Sequence, residues 1–345
     1  MSAHPHIETR VVEVDAAALD PAVIEDAAVL LRAGGLVAFP TETVYGLGAN
    51  ALDDAAVQRI FAAKERDPDD PLIVHIADAD AVGTVARDVP PLARQLTDAF
   101  WPGGLTLVLP RAEGVAPAVS AGRDTVAVRM PSHPVALELI ATAGVPVAAP
   151  SANRFMRTSA TTAAHVLDDL GGRIDMVLDA GPATAGIEST VVAVEGEAVT
   201  LLRPGAVTVE RLEEVLGRPV ARRERESSGP SSPGMLERHY APRARLVYRP
   251  DATVEELVTM AREAAASGAR LGMLLAEGDA PGIEDEGIVV ERPGPQGDLE
   301  QVARGLFAAL RSLDAAGVEV IYARGFSREG AGLAIDDRLR RASAG

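Results

Sequence analysis

The rhythm of the first 220 residues restricts the fold most, because short apolar runs there alternate with segments of helical period. Runs at 36–40, 72–76, 105–109, 125–130, 145–149, 176–178, 190–194 and 199–202 read as strands. Segments 22–33, 54–66, 90–100, 134–143, 160–170 and 209–216 read as helices between them. So many strands interleaved with helices predict an α/β domain with a mixed, curved sheet. The rhythm breaks at 221–244, ARRERESSGPSSPGMLERHYAPRA, where Ser, Pro and Gly replace any apolar period and predict a linker. Beyond it, strands at 245–248, 271–276, 288–291 and 318–323, with helices at 254–266 and 299–315, predict a small parallel, doubly wound domain. The expected division is 1–220, 221–244 and 245–345.

Composition narrows the chemistry. Hydrophobic residues at 47% supply a substantial core. The absence of cysteine excludes thiolate nucleophiles, thiolate metal sites and disulfides. The N-terminal MSAHPHIETR lacks the basic and apolar regions of a leader, and no run of about 18 apolar residues occurs, so a cytoplasmic protein without membrane contact is expected. A net charge of -17 repels polyanions, so any phosphate site must be a local basic cluster. Lys64 is the only lysine, and Asn50 and Asn153 are the only asparagines.

Several segments end strands with polar residues. Pro40-Thr-Glu-Thr-Val-Tyr-Gly-Leu-Gly-Ala-Asn-Ala51 leaves a buried-looking strand, where ligand groups sit in α/β folds. Its Gly46-x-Gly48-x-x-Ala51 spacing matches a dinucleotide turn only weakly, because six residues separate the strand from the first glycine, and a simple turn role for the glycines is expected instead. On helix 54–66, Val57, Ile60, Phe61 and Lys64 share one face, which brings Lys64 out at the buried edge with Arg66 just beyond. Two such cations suit a triphosphate, and an ordinary basic helix C-terminus would look the same. In Pro71-Leu-Ile-Val-His-Ile76, His75 faces away from Leu72, Val74 and Ile76. In Thr125-Val-Ala-Val-Arg-Met-Pro131, Thr125, Ala127 and Arg129 share a face, and an inward arginine needs an anion, either a structural or a substrate carboxylate. Ser151, Asn153 and Ser159 read as hydrogen-bonding partners of a phosphate or purine, since neither G-x-S-x-G nor a nearby base activates a serine. Metal-binding histidine spacings and the P-loop are also missing.

Taken in order, Pro40-Thr-Glu-Thr-Val-Tyr-Gly-Leu, Lys64-x-Arg66, Pro71-Leu-Ile-Val-His-Ile76, Pro150-Ser-Ala-Asn153, Glu188-Ser-Thr-Val-Val192 and Leu202-Arg-Pro-Gly205 resemble the YrdC-like threonylcarbamoyl-AMP synthase family. Ser232-Pro-Gly234 and His239-Tyr-Ala-Pro242 resemble the linker of its longer members, which carry a small C-terminal Rossmann-like domain. The resemblance implies that the chain joins L-threonine, bicarbonate and ATP into threonylcarbamoyl-AMP and pyrophosphate. It implies L-threonine contacts at Thr43, His75, Arg129, the Ala149 backbone and Ser189. It implies ATP contacts at Lys64, Arg66, Asp70, Thr125, Ser151, Asn153, Ser159, Arg203 and Tyr240, with Lys64 and Arg66 catalytic and Mg2+ accompanying the nucleotide. The linker becomes a lid, and a separate tRNA threonylcarbamoyl-transferase complex takes the product, with at most a weak tRNA contact by this chain. The family commonly has Thr or Ser where this chain has Ala149, and a different turn at 67–70.

Overall fold

The computed structural model describes residues 7–222, 238–266 and 268–344. These form two compact units: 7–155, 160–184 and 188–222 make the first, and 156–159, 185–187 and the rest from 238 make the second.

In the first unit the strands are β1 (Arg10–Glu13), β2 (Val37–Phe39), β3 (Gly46–Asn50), β4 (Ile73–His75), β5 (Leu105–Pro110), β6 (Thr125–Arg129), β7 (Val147–Ala148), β8 (Met176–Asp179), β9 (Thr190–Glu195), β10 (Ala198–Arg203) and β11 (Ala221–Arg222). The helices are α1 (Pro21–Arg32), α2 (Asp54–Lys64), α3 (Pro91–Phe100), α4 (Pro134–Ala143), α5 (Ala163–Leu170) and α6 (Val209–Leu216). All eleven strands form one sheet in the order β1-β8-β2-β3-β7-β4-β6-β5-β9-β10-β11. Pairs β4/β6 and β5/β9 are parallel, whereas β2/β3, β4/β7 and β5/β6 are antiparallel, which is the expected mixed sheet. One apolar core packs α1 and α4 on the sheet through Ile24, Leu31, Phe39, Leu139, Val147 and Leu178. Each such buried side chain contributes about 1.5–3 kcal/mol.

Helix ends follow local chemistry. Asp53 caps α2 by accepting from the amides of Ala55 and Ala56, and Glu65 stops it in the left-handed region at φ 55°. The helix expected to run to Arg66 therefore ends at Lys64. The helix expected from residue 160 starts at Ala163, because Thr162 is its extended N-cap and accepts from His165 N–H.

Gly46 and Gly48 do not make a turn. They lie in β3, antiparallel to β2. A Cβ on Gly48 would sit 2.8 Å from Phe39 Cε1 and 2.9 Å from Val147 Cγ1, so the glycine lets neighbouring strands' side chains cross over it.

In the second unit β12 (Arg245–Arg249), β13 (Leu271–Leu274), β14 (Val289–Glu291) and β15 (Val320–Arg324) form a wholly parallel sheet in the order β12-β15-β13-β14. Helices α7 (Val254–Ala265), α8 (Leu299–Ala315) and α9 (Gly332–Ser343) accompany it. The expected parallel domain is present, with α9 added. Thr253 and Glu256 close a capping box on α7. Of the segment read as linker, 221–222 form β11 and 223–237 lie outside the described residues.

Candidate functional site

Two groups of polar side chains are buried at the strand ends of the first unit, and a short chain of hydrogen bonds joins them. The first gathers around Lys64. The apolar face of α2 carries its last residue inward until only 1% of Lys64 is exposed. Its amine donates to the backbone carbonyls of Ser151 and Asn153, in the segment that follows β7. This contact, far along the chain, separates Lys64 from a lysine that merely decorates its own helix terminus. Burial, and then the charge of Arg66, hold the amine well below the ordinary lysine range, while Asp169 and Asp70 oppose that shift. An incoming phosphate would favour the charged form.

Arg66 donates through Nε to Asp70 O at 3.2 Å and through Nη2 to Pro71 O at 2.9 Å. Its guanidinium also lies 5.7 Å from the centroid of Phe155. Nη2 is 2.8 Å from Asp70 Oδ2, close enough to pair by charge but not aligned as a hydrogen bond. Burial raises the Asp70 carboxyl, against the opposing charges of Arg66, Lys64 and Arg203. Asp70 thus lies in the fields of all three cations. Ser151 is partly exposed, whereas Asn153 is buried and its Nδ2 donates to Arg154 O at 2.7 Å.

Register builds the second group. Across the sheet, β4 places His75 beside Arg129 of β6, and β5 places Thr106 on Arg129's other side. All three are buried. Arg129 Nη2 donates to Glu42 Oε1 at 2.6 Å, Nε donates to Gly103 O at 3.1 Å, and Glu42 Oε2 accepts Ser132 N–H at 3.0 Å. Burial would raise Glu42, but the charge and hydrogen bond of Arg129 outweigh it and leave the carboxyl below its usual range. Burial and Arg129 push His75 down to about 3, so its imidazole is neutral, and its Nδ1 has no hydrogen-bond partner among the described residues. Thr43 is buried with its hydroxyl 2.9 Å from that of Thr41. The Ala149 amide donates to Ile73 O at 2.9 Å, which holds β7's exit against β4.

Ser189 joins the groups. Its hydroxyl lies 2.7 Å from that of Thr106, and Arg203 donates to Ser189 O at 2.8 Å and to Ser189 Oγ at 3.1 Å. The first unit therefore brings together Lys64, Arg66, Asp70, Ser151, Asn153 and Arg203, and the hydrogen bonds of Ser189 run from Arg203 to Thr106, the register partner of Arg129. Thr125 shares Arg129's face but begins the strand, opposite Pro110 and partly exposed. Ser159 and Tyr240 belong to the second unit. There Arg311 of α8 binds the carbonyls of Thr158 and Ser159, and the Tyr240 ring is buried against His239, Phe307 and Arg338. Glu42 and Thr106 were missed from the sequence. The inward arginine required an anion, but only the loop between β2 and β3 shows which carboxylate reaches it.

This pattern, with buried cations and hydroxyls at the ends of a mixed sheet and a small parallel domain following, defines a YrdC-like α/β enzyme class. The Sua5/yciO/yrdC family profile, described as telomere recombination, matches residues 29–205, and the threonylcarbamoyl-AMP synthase C-terminal domain matches residues 207–344. The threonylcarbamoyl-AMP synthase of Bacillus subtilis is 45% identical over 330 residues, 94% of each chain. That of Pyrococcus abyssi is 44% identical over 331 residues, 93% of this chain and 94% of that one. A crystal structure of P. abyssi Sua5 complexed with L-threonine superposes with a TM-score of 0.90 at 41% identity, covering 97% of this chain and 98% of that one. The chain belongs to the threonylcarbamoyl-AMP synthase family, in its two-domain form.

Proposed function

We propose that the chain forms threonylcarbamoyl-AMP and pyrophosphate from L-threonine, bicarbonate and ATP, with the two groups of the first unit as its amino-acid and nucleotide sites. The observation that supports this reading is the Arg203–Ser189–Thr106 chain of hydrogen bonds, which runs from the cationic cluster to the register partner of Arg129. Lys64, Arg66 and Arg203 suit the phosphates, and Asp70, Thr125, Ser151 and Asn153 the rest of ATP. Thr43, His75, Arg129, the Ala149 backbone and Ser189 suit L-threonine. The roles of Ser159 and Tyr240 at ATP, and of residues 221–244 as a lid, rest on the family resemblance alone.

In this reading the threonine amine and bicarbonate-derived CO2 form a carbamate, whose oxygen attacks the α-phosphorus and expels pyrophosphate. Both reactants are anions, so the residues act by holding them in line and neutralising charge. Lys64 and Arg66 are catalytic in that sense. Neutral His75 and the Thr43 hydroxyl can orient the amino acid without adding charge. Among the described residues no three His, Asp or Glu side chains are placed to hold a metal. Mg2+ held mainly by phosphates and water needs no such cage, so the site fits a metal that arrives on ATP. When bound, Mg2+ would neutralise phosphate charge.

The product would pass to a tRNA threonylcarbamoyl-transferase complex, and this chain would contact tRNA weakly if at all. Among the described residues no helix is long and apolar enough to cross a membrane, and a cytoplasmic location is part of the proposal. The test is pyrophosphate release by the full chain. It is expected only when ATP, L-threonine and bicarbonate are all present, and equal release without threonine would overturn the reading.

A further inference from the structure

Arg129, which suits the substrate carboxylate, already holds a carboxylate of its own. Its side chain is 4% exposed, whereas Glu42 keeps 16% and uses one oxygen for Arg129 and the other for Ser132 N–H. A pair this deep is a weak source of stability, because stripping water from both ions costs about as much as their attraction returns. Its use lies elsewhere.

The neighbouring groups indicate where. Thr41 has one hydroxyl proton and donates it to Val44 O at 2.6 Å. The Thr43 hydroxyl, 2.9 Å from Thr41 Oγ1, must therefore be the donor in that contact, which leaves its own lone pairs as acceptors. His75, Arg129's register neighbour, has a buried Nδ1 that meets the hydrogen-bond geometry with none of the described residues. One loop and two strands thus present an anion and a hydroxyl acceptor beside a cation and a neutral imidazole.

We propose that Glu42 and Arg129 together recognise the zwitterionic head of the amino-acid substrate, with Arg129 taking the α-carboxylate and Glu42 the α-ammonium. This inference rests on the proposed function and deepens it by giving a binding role to Glu42, which lies in the Pro40–Leu47 motif but was assigned no ligand there. The pair carries no net charge, and neither does the zwitterion, so both charges can be matched without burying an excess of either sign. A carboxylic acid lacking the ammonium places a second anion beside Glu42. An amine lacking the carboxylate places a second cation beside Arg129. Both are rejected by repulsion as well as by the missing contact.

The test uses the full-length chain and two probes, L-threonine and its deaminated analogue 2,3-dihydroxybutanoate, with binding read by calorimetry and turnover by pyrophosphate release. Glu42→Gln keeps an acceptor for Ser132 but loses the charge. It is expected to weaken threonine binding by about tenfold or more while ATP half-saturation stays within about twofold. The wild-type preference for threonine over the deaminated acid should shrink by a similar factor, and Glu42→Asp should recover part of it. Equal losses for both probes would overturn the proposal, because Glu42 would then only position Arg129. Unchanged threonine binding would also overturn it. A wild-type chain with no threonine-dependent pyrophosphate would instead overturn the function itself.

Discussion

Lys64 has two tasks in one position. Its amine ties Ser151 O and Asn153 O to the end of α2, and in the proposed reaction it meets phosphate. Lys64→Ala should therefore abolish threonine-dependent pyrophosphate formation and also lower the urea midpoint, since the buried Asn153 carbonyl left without this donor costs about 1–3 kcal/mol. Turnover at the wild-type rate would remove Lys64 from the mechanism. His75 makes a separate prediction about pH. Its folded value of about 3 lies below the ordinary 6.5, so between those values the folded chain binds fewer protons than the unfolded one. The resulting stability is complete above 6.5 and is lost as pH falls toward 3. In His75→Gln this loss is absent, so the urea midpoint should fall less between about pH 7 and about pH 4 than in the wild type. Equal acid sensitivity would show that the imidazole is not held neutral by burial.

At the scale of elements, backbone packing decides where the side chains stand. A Cβ on Gly205, just past β10, would lie 2.3 Å from Glu188 O and 2.5 Å from Ser189 C. Gly205→Ala should cost about 1–3 kcal/mol or more by overpacking, and it should raise threonine half-saturation by displacing Ser189. Among the described residues nothing beyond its chain neighbours lies within 4 Å of a Cβ on Gly114, so Gly114→Ala should match wild type in both measurements. What was legible in the sequence follows the same division. Lys64 could be placed at a buried helix edge because Val57, Ile60 and Phe61 repeat with the helical period, and His75 and Arg129 could be given their faces because strands alternate. The meaning of Gly48 was not legible, since the Phe39 and Val147 side chains that require it come from separate strands. β1 escaped because it is an exposed edge strand of four residues with little apolar pattern. α9 escaped because charged residues fill it, with Arg340 and Arg341 pairing with Asp336 and Asp337 four residues earlier. Glu42 escaped because a carboxylate in a loop has no period to betray its partner.

At the scale of the whole molecule, 50 acidic against 33 basic side chains set a repulsive field for long polyanions. The buried cations Lys64, Arg66 and Arg203 make a local exception suited to a small anion such as ATP. The most direct measurement of the central claim follows the carbon of bicarbonate. The full chain is incubated with ATP, L-threonine and carbon-13 bicarbonate, and the nucleotide products are analysed promptly by mass spectrometry. The account predicts an adenylate that carries the labelled carbon and the threonyl group, appears together with pyrophosphate and is missing when threonine is omitted. Pyrophosphate and AMP without a labelled adenylate, or an adenylate without the label, would contradict it.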